Sequence, residues 1–153
     1  MQIITPTDGI AGIDRGRGAP IVFLAGYCGN DEDWRPAVVA RCKDLRGCLI
    51  DPRLDPWPED AAALKTQTAW ESYGLRTASL VAFWFSKHSL QPISLFELGW
   101  AIGQDRDVCL GVDPDYPKAA DLLSRFPQVS TSVGALADVV AGCVIHTAAP
   151  QVH

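Results

Sequence analysis

Three short runs with almost no polar break constrain this chain more than anything else in it: "APIVFLAG" (19–26), "GCLIDP" (47–52) and "SLVAFWF" (79–85). A strand with one wet face alternates apolar and polar residues. A run that is apolar throughout is a strand buried on both faces, as in parallel sheets. Segments of helical character separate the runs. "DEDWRPAVVARCKDL" (31–45) has acids at its start and a basic end, as helices prefer. "KTQTAWESYGLRTA" (65–78) also reads as a helix, although Gly74 weakens it, and "PISLFELGWAIG" (92–103) opens with Pro92, favoured in a first turn.

The alternation continues. "RDVCLGVDPD" (106–115) is a fourth strand with a turn, and "YPKAADLLSRF" (116–126) a helix. "QVSTS" (128–132) is a fifth strand or its remnant, and "VGALADVVAGCVIHTA" (133–148) is a closing amphipathic helix. Strands and helices at this spacing imply right-handed βαβ units and an α/β fold with a parallel sheet of about five strands. The 153 residues fit one domain, 1–153, with residues 1–18 as an N-terminal extension and 149–153 as a tail.

Charge and cysteine content exclude several functions. Eighteen acids against 13 bases give a net charge of -5, and no cluster of Lys or Arg offers a nucleic-acid strand a surface. No apolar run reaches membrane-spanning length, and "MQIITPTDGIAG" is not a signal peptide. The five cysteines are scattered and odd in number, with no CxxC pair. Free thiols in a reducing cytoplasm are expected, rather than disulfides or structural zinc. His88, His146 and His153 lack metal-ligand spacing and read as surface or tail residues.

The candidate site lies in the loops. "AGYCGND" (25–31) carries neither a dinucleotide fingerprint nor a Walker pattern, but Gly26 and Gly29 mark a close backbone approach, to a ligand or within a tight turn. "RLDPWPEDAA" (53–62), rich in proline, follows a strand's C-terminal end, where open α/β sheets place ligands. Trp57 in that loop either stacks on a flat ligand or packs locally; the other four tryptophans read as core. Glu97 is the sharpest anomaly, a lone carboxylate on a strongly apolar helix. It lies beyond the reach of the helix-start dipole. It either pairs with a buried arginine (Arg35, Arg53 or Arg76) or points into a cleft as nucleophile or general acid.

"VFLAG", "DPRLDPW", "AFWF" and "PISLFELGWAIGQDRDVCLGVDPDYP" together resemble the nucleoside 2-deoxyribosyltransferase family and its relatives that hydrolyse nucleoside 5'-monophosphates. The resemblance runs from about Ile21 to about Leu123. It implies a doubly wound, flavodoxin-like three-layer sandwich, a homo-oligomer, and a small-molecule nucleoside or nucleotide as substrate. It makes Glu97 the nucleophile and Glu71 the acidic residue facing the base. It lines the pocket with Gly26, Tyr27, Asp51, Arg53, Trp57, Gln91 and Ser94. Two positions depart from the family: Gln91 stands where an acid or serine contacts the sugar or its phosphate, and Phe23 where many members carry tyrosine. Whether Tyr27, four residues on, replaces that hydroxyl stays open at this level.

The implied chemistry is cleavage of an N-glycosidic bond, through a transition state resembling an oxocarbenium ion that a carboxylate traps as an ester. It needs no metal or redox cofactor. The alternative is a pocket of the same fold that binds nucleotides or nucleotide signals without turning them over.

Overall fold

The computed structural model describes residues 1–29 and 31–148. Five strands form one parallel sheet: β1 (Gln2–Ile4), β2 (Ile21–Gly26), β3 (Cys48–Ile50), β4 (Leu80–Phe85) and β5 (Asp107–Val112), in the order β1-β3-β2-β4-β5. The helices are α1 (Gly9–Arg15), α2 (Arg35–Cys42), α3 (Ala61–Thr77), α4 (Pro92–Gly103), α5 (Ala119–Arg125) and α6 (Val133–Ala148).

The apolar runs are explained by two cores. Along β2, Ile21, Phe23 and Ala25 pack on one side of the sheet while Val22 and Leu24 pack on the other. Along β4, Val81, Phe83 and Phe85 share the first core, and Leu80, Ala82 and Trp84 the second. The first core is closed by α1, α3, α4 and α5, the second by α2 and α6. Successive side chains of a strand point to opposite faces, so a helix layer on each face requires apolar residues at every position. The result is a flavodoxin-like three-layer sandwich.

The fifth strand is not the expected one. Residues 128–132 contribute only a single parallel bridge, Gly111 to Ser130. The sheet's fifth strand comes from the segment expected to be an extension, where Gln2, Ile3 and Ile4 pair with Cys48, Leu49 and Ile50. Without β1 the order β3-β2-β4-β5 reproduces the first four strands of the flavodoxin arrangement, and the Ser130 bridge occupies the fifth place. β1 has only three residues and only Ile4 is buried, too little for a period-2 signal to show.

Helix boundaries also moved. α2 begins at Arg35, four residues later than the acids at 31 and 33 suggest, and those acids stay in the preceding loop. α3 begins at Ala61, where the Asp60 side chain accepts hydrogen bonds from the amides of Ala62 and Ala63. Gly74 is a packing device: a Cβ there would press on the Phe23 ring at 3.2 Å, so glycine lets α3 lie close against the sheet. No helix among the described residues is long and apolar enough to cross a membrane.

Candidate functional site

β2 is followed by a crossover to β3 on one side, and β3 by a crossover back to β4 on the other side. Connections therefore diverge at the C-terminal ends of β2 and β4, leaving a crevice at the position where doubly wound sheets bind ligands. Gly26 closes β2 there with φ +110°, and a Cβ would collide with the Trp84 backbone of β4. Its close approach is to the neighbouring strand.

Behind the crevice sits Arg35, 1% exposed at the start of α2. Its guanidinium donates to the carbonyls of Tyr27 (2.7 Å) and Leu24 (3.0 Å) and to Cys28 Sγ (3.1 Å), and its Nε lies 3.2 Å from Asp51 Oδ1. It also stacks 4.8 Å from the Trp34 ring. Arg53 grips Asp51 through Nη2 at 2.7 Å and Nε at 3.0 Å, and reaches Asp33 at 2.8 Å. Asp33, Arg53, Asp51 and Arg35 thus tie the loops after β2 and β3 together. These carboxylates raise the Arg53 pKa still further.

Glu97 contrasts with this network. It is half-buried on α4, and no hydrogen bond reaches its carboxylate among the described residues. Burial pushes its pKa up from 4.5 to about 7; the nearby Glu71 carboxylate adds to the rise and Arg35 opposes it. Glu71, half-buried on α3, is also raised by burial, against a 2.8 Å hydrogen bond from Gln67 Nε2 that favours its ionised form. Two carboxyls in electrostatic contact, both pushed toward protonation, disfavour the doubly ionised state. Burial and mutual repulsion thus push both carboxyls toward their protonated forms.

The structure gathers Glu97, Glu71, Asp51, Arg53, Gly26 and Tyr27 at one end of the sheet, and Ser94 lies buried one turn before Glu97. Other expected residues are engaged elsewhere. The Tyr27 hydroxyl donates to Asp31 at 2.8 Å and its ring stacks on His88, so it does not replace the missing tyrosine at Phe23. Phe23 itself is core, 1% exposed. Gln91 is 7% exposed in a left-handed conformation (φ 48°), its Nε2 donating to the carbonyls of Ser86 (2.9 Å) and Ser89 (3.2 Å). Its Oε1 is buried without a donor. Trp57 is 53% exposed, on the outer part of its loop.

Residues 19–116 match the family model described as nucleoside 2-deoxyribosyltransferase like. The chain belongs to that family. The matched stretch begins just before β2 and ends at Tyr116, so it contains the crevice, both glutamates and the arginine network. No curated protein matches the sequence. Among solved structures, a fungal multi-domain β-N-acetylglucosaminidase with a glucosamine N-acetyltransferase region shares 14% identity at a TM-score of 0.50. The match covers 86% of this chain and 15% of that one, and it shows the fold alone.

Two participants escaped sequence reading. Arg35 was one of three possible partners for Glu97, but nothing in the run of charges from Asp31 to Arg41 marks it as the arginine that turns inward. Gln67 carries one readable signal in the sequence, its i,i+4 spacing to Glu71 on a helix. A groove of about 860 Å³ runs beside α3 and contains neither glutamate; Gln67 is part of its wall.

Proposed function

We propose that this protein cleaves the N-glycosidic bond of a nucleoside or nucleoside 5'-monophosphate, passing the sugar through Glu97 to another base or to water. The observation that carries the reading is the pair of protonation-prone carboxyls at the sheet's switch point, in a chain of this family. Glu97 attacks the anomeric carbon as the bond to the base nitrogen breaks, giving a glycosyl ester. Glu71 delivers the proton that lets the base depart. Attack by water or a second base then breaks the ester and frees Glu97.

The ligand-free site holds its proton more firmly on Glu97 than a nucleophile needs. Developing positive charge on the sugar favours the ionised form of Glu97, and the basic nitrogen of the departing base draws the proton to Glu71's side. The second reading, a nucleotide-binding pocket without turnover, draws support from one feature: Gln91 is folded into its own loop instead of toward a sugar.

A chromatographic panel of nucleosides and nucleotides tests the choice. Free base identifies a hydrolase and exchanged base a transferase; an unchanged panel with one compound retained identifies a binder. A 2-fluoro sugar substrate adds a covalent check, since the adduct belongs on the peptide containing Glu97 and any other location removes its role. The reading includes a cytoplasmic homo-oligomer, supported by Ile93 and Phe96, which stand 68% and 71% exposed on the nucleophile's own helix. Light scattering showing only the 16.5 kDa species at micromolar concentration contradicts that part.

A further inference from the structure

Gln67 connects Glu71 to the wall that the arginines build. It precedes Glu71 by one helical turn on α3, so the two side chains share a face, and it is 3% exposed. Its Nε2 donates to Glu71 Oε1 at 2.8 Å and to the Pro52 carbonyl at 2.9 Å. An amide nitrogen carries two hydrogens, and these two acceptors take both. Pro52 is buried between Asp51 and Arg53, which Arg35 and Asp33 hold in place. A backbone carbonyl accepts at every pH and never donates. It therefore fixes the amide's orientation, because the reversed amide sets Gln67 Oε1 against the Pro52 oxygen. Glu71 Oε1 then faces a donor whether or not the carboxyl is protonated.

An oxygen that faces an N–H is the unfavourable one to carry a proton, since its O–H would point at that donor. Glu71 Oε2 has no partner among the described residues. Taking the glycosidase reading as its basis, we infer that Gln67 is a positioning residue, which holds Glu71 by Oε1 and leaves Oε2 to carry the proton to the departing base. The proton passes from Oε2 to a nitrogen of the base as the electron pair of the glycosidic bond moves onto the base. Gln67 keeps its hydrogen bond to the carboxylate left behind. Burial pushes the Glu71 carboxyl up, and this bond opposes the rise by favouring the ionised form. Among the described residues, the titratable groups facing Glu71 from other elements are Glu97 on α4 and the Cys28 thiol after β2, with Arg35 close to both and Asp51 close to the thiol. None of these donates a hydrogen bond to the Glu71 carboxyl, so Gln67 alone orients it.

The test is Gln67→Met, which keeps the side chain's length and removes the donor. For 2'-deoxyadenosine and 2'-deoxycytidine, as nucleosides and as 5'-monophosphates, kcat is expected to fall about tenfold or more with KM within about threefold. The alkaline limb of the pH profile, where Glu71 loses its proton, moves to higher pH because the ionised form has lost its donor. A 4-nitrophenyl 2-deoxyriboside and its 5'-phosphate, whose phenolate leaves without a proton, slow by less than about twofold. A merely structural role slows both kinds of substrate alike and leaves the limb in place; either result overturns the inference while the glycosidase stands. If the wild type turns over no compound, the glycosidase reading has failed. In that case, or if the methionine variant does not melt cooperatively, the Gln67 side-chain amide of isotope-labelled wild-type protein decides by NMR. One Nε2 proton is expected to shift as the Glu71 carboxyl carbon titrates, while the proton on the Pro52 carbonyl does not. Two protons that ignore that titration overturn Gln67's hold on Glu71.

Discussion

The α2 side of the crevice and its α3–α4 side handle buried charge in opposite ways. Arg35 is nearly inaccessible, yet backbone carbonyls, a thiol and the Asp51 carboxylate surround its guanidinium. Glu97 is less deeply placed and receives no hydrogen bond among the described residues. A charge held by several partners, though its Nε lacks a hydrogen bond of its own, keeps its surroundings in place, and here it ties the β2 and β3 loops into one wall. An unsatisfied one costs free energy in its ionised state, and that cost is recovered only when something positive arrives. A sugar acquiring oxocarbenium character is such a partner. The difference separates a residue that builds the site from the one proposed to act in it.

Substitutions on the two sides are expected to fail in different ways. Glu97→Ala is the largest: turnover falls at least about a thousand-fold while ground-state binding changes little, because the lost interaction is made in the transition state. Single-turnover kinetics beside calorimetry checks this, and retained turnover breaks the comparison. Arg35→Met is next, with a loss of about 2–4 kcal/mol in unfolding free energy as the buried carbonyls of Tyr27 and Leu24 lose their charged donor, while Asp51 keeps Arg53. Removing Arg35 also takes away the charge that holds the Glu97 pKa down, so any surviving activity has its acid limb moved to higher pH. Denaturation that leaves Arg35→Met as stable as the parent removes its structural role.

Smaller effects sharpen the contrast. Native Glu97 keeps its proton to about pH 7, whereas an ordinary carboxyl loses it near 4.5. The native state therefore binds the proton more tightly than the unfolded chain. The stability this confers is complete below about 4.5 and is lost as pH rises through about 7. Glu97→Gln removes that dependence and is expected to be more stable than the parent at pH 8 by up to about 3 kcal/mol, visible in paired urea titrations at pH 5 and 8. Glu71→Gln lowers kcat/KM by about a hundred-fold for bases that need protonation and abolishes one limb of the pH profile. It also lowers the Glu97 pKa by removing a neighbouring negative charge. An unchanged profile excludes Glu71 from proton transfer.

Trp57 shows where sequence reading stops. A tryptophan in a proline-rich loop after a strand's end announces a loop near a ligand crevice, and the loop is there. Whether the ring faces the ligand or solvent depends on a few backbone angles that proline content does not specify. Gln91 shows the same limit. Its spacing from Glu97 is fixed by the chain, but a left-handed backbone turns its amide onto Ser86 and Ser89, and no sequence pattern encodes that turn.

The sequence by itself determined four of the sheet's five strands, the three central ones because burial on both faces writes an unbroken apolar run. It also singled out Glu97, since one carboxylate on so apolar a helix stands out in any register. Only the tertiary structure decided that residues 2–4 and not 128–132 complete the sheet, because three residues pairing at an edge carry too few buried side chains to leave a pattern. It alone chose Arg35 from three candidate arginines and placed Gln67 between Glu71 and the groove. Those choices depend on which residues distant in sequence come within 3–4 Å of one another, and local periodicity holds no information about that.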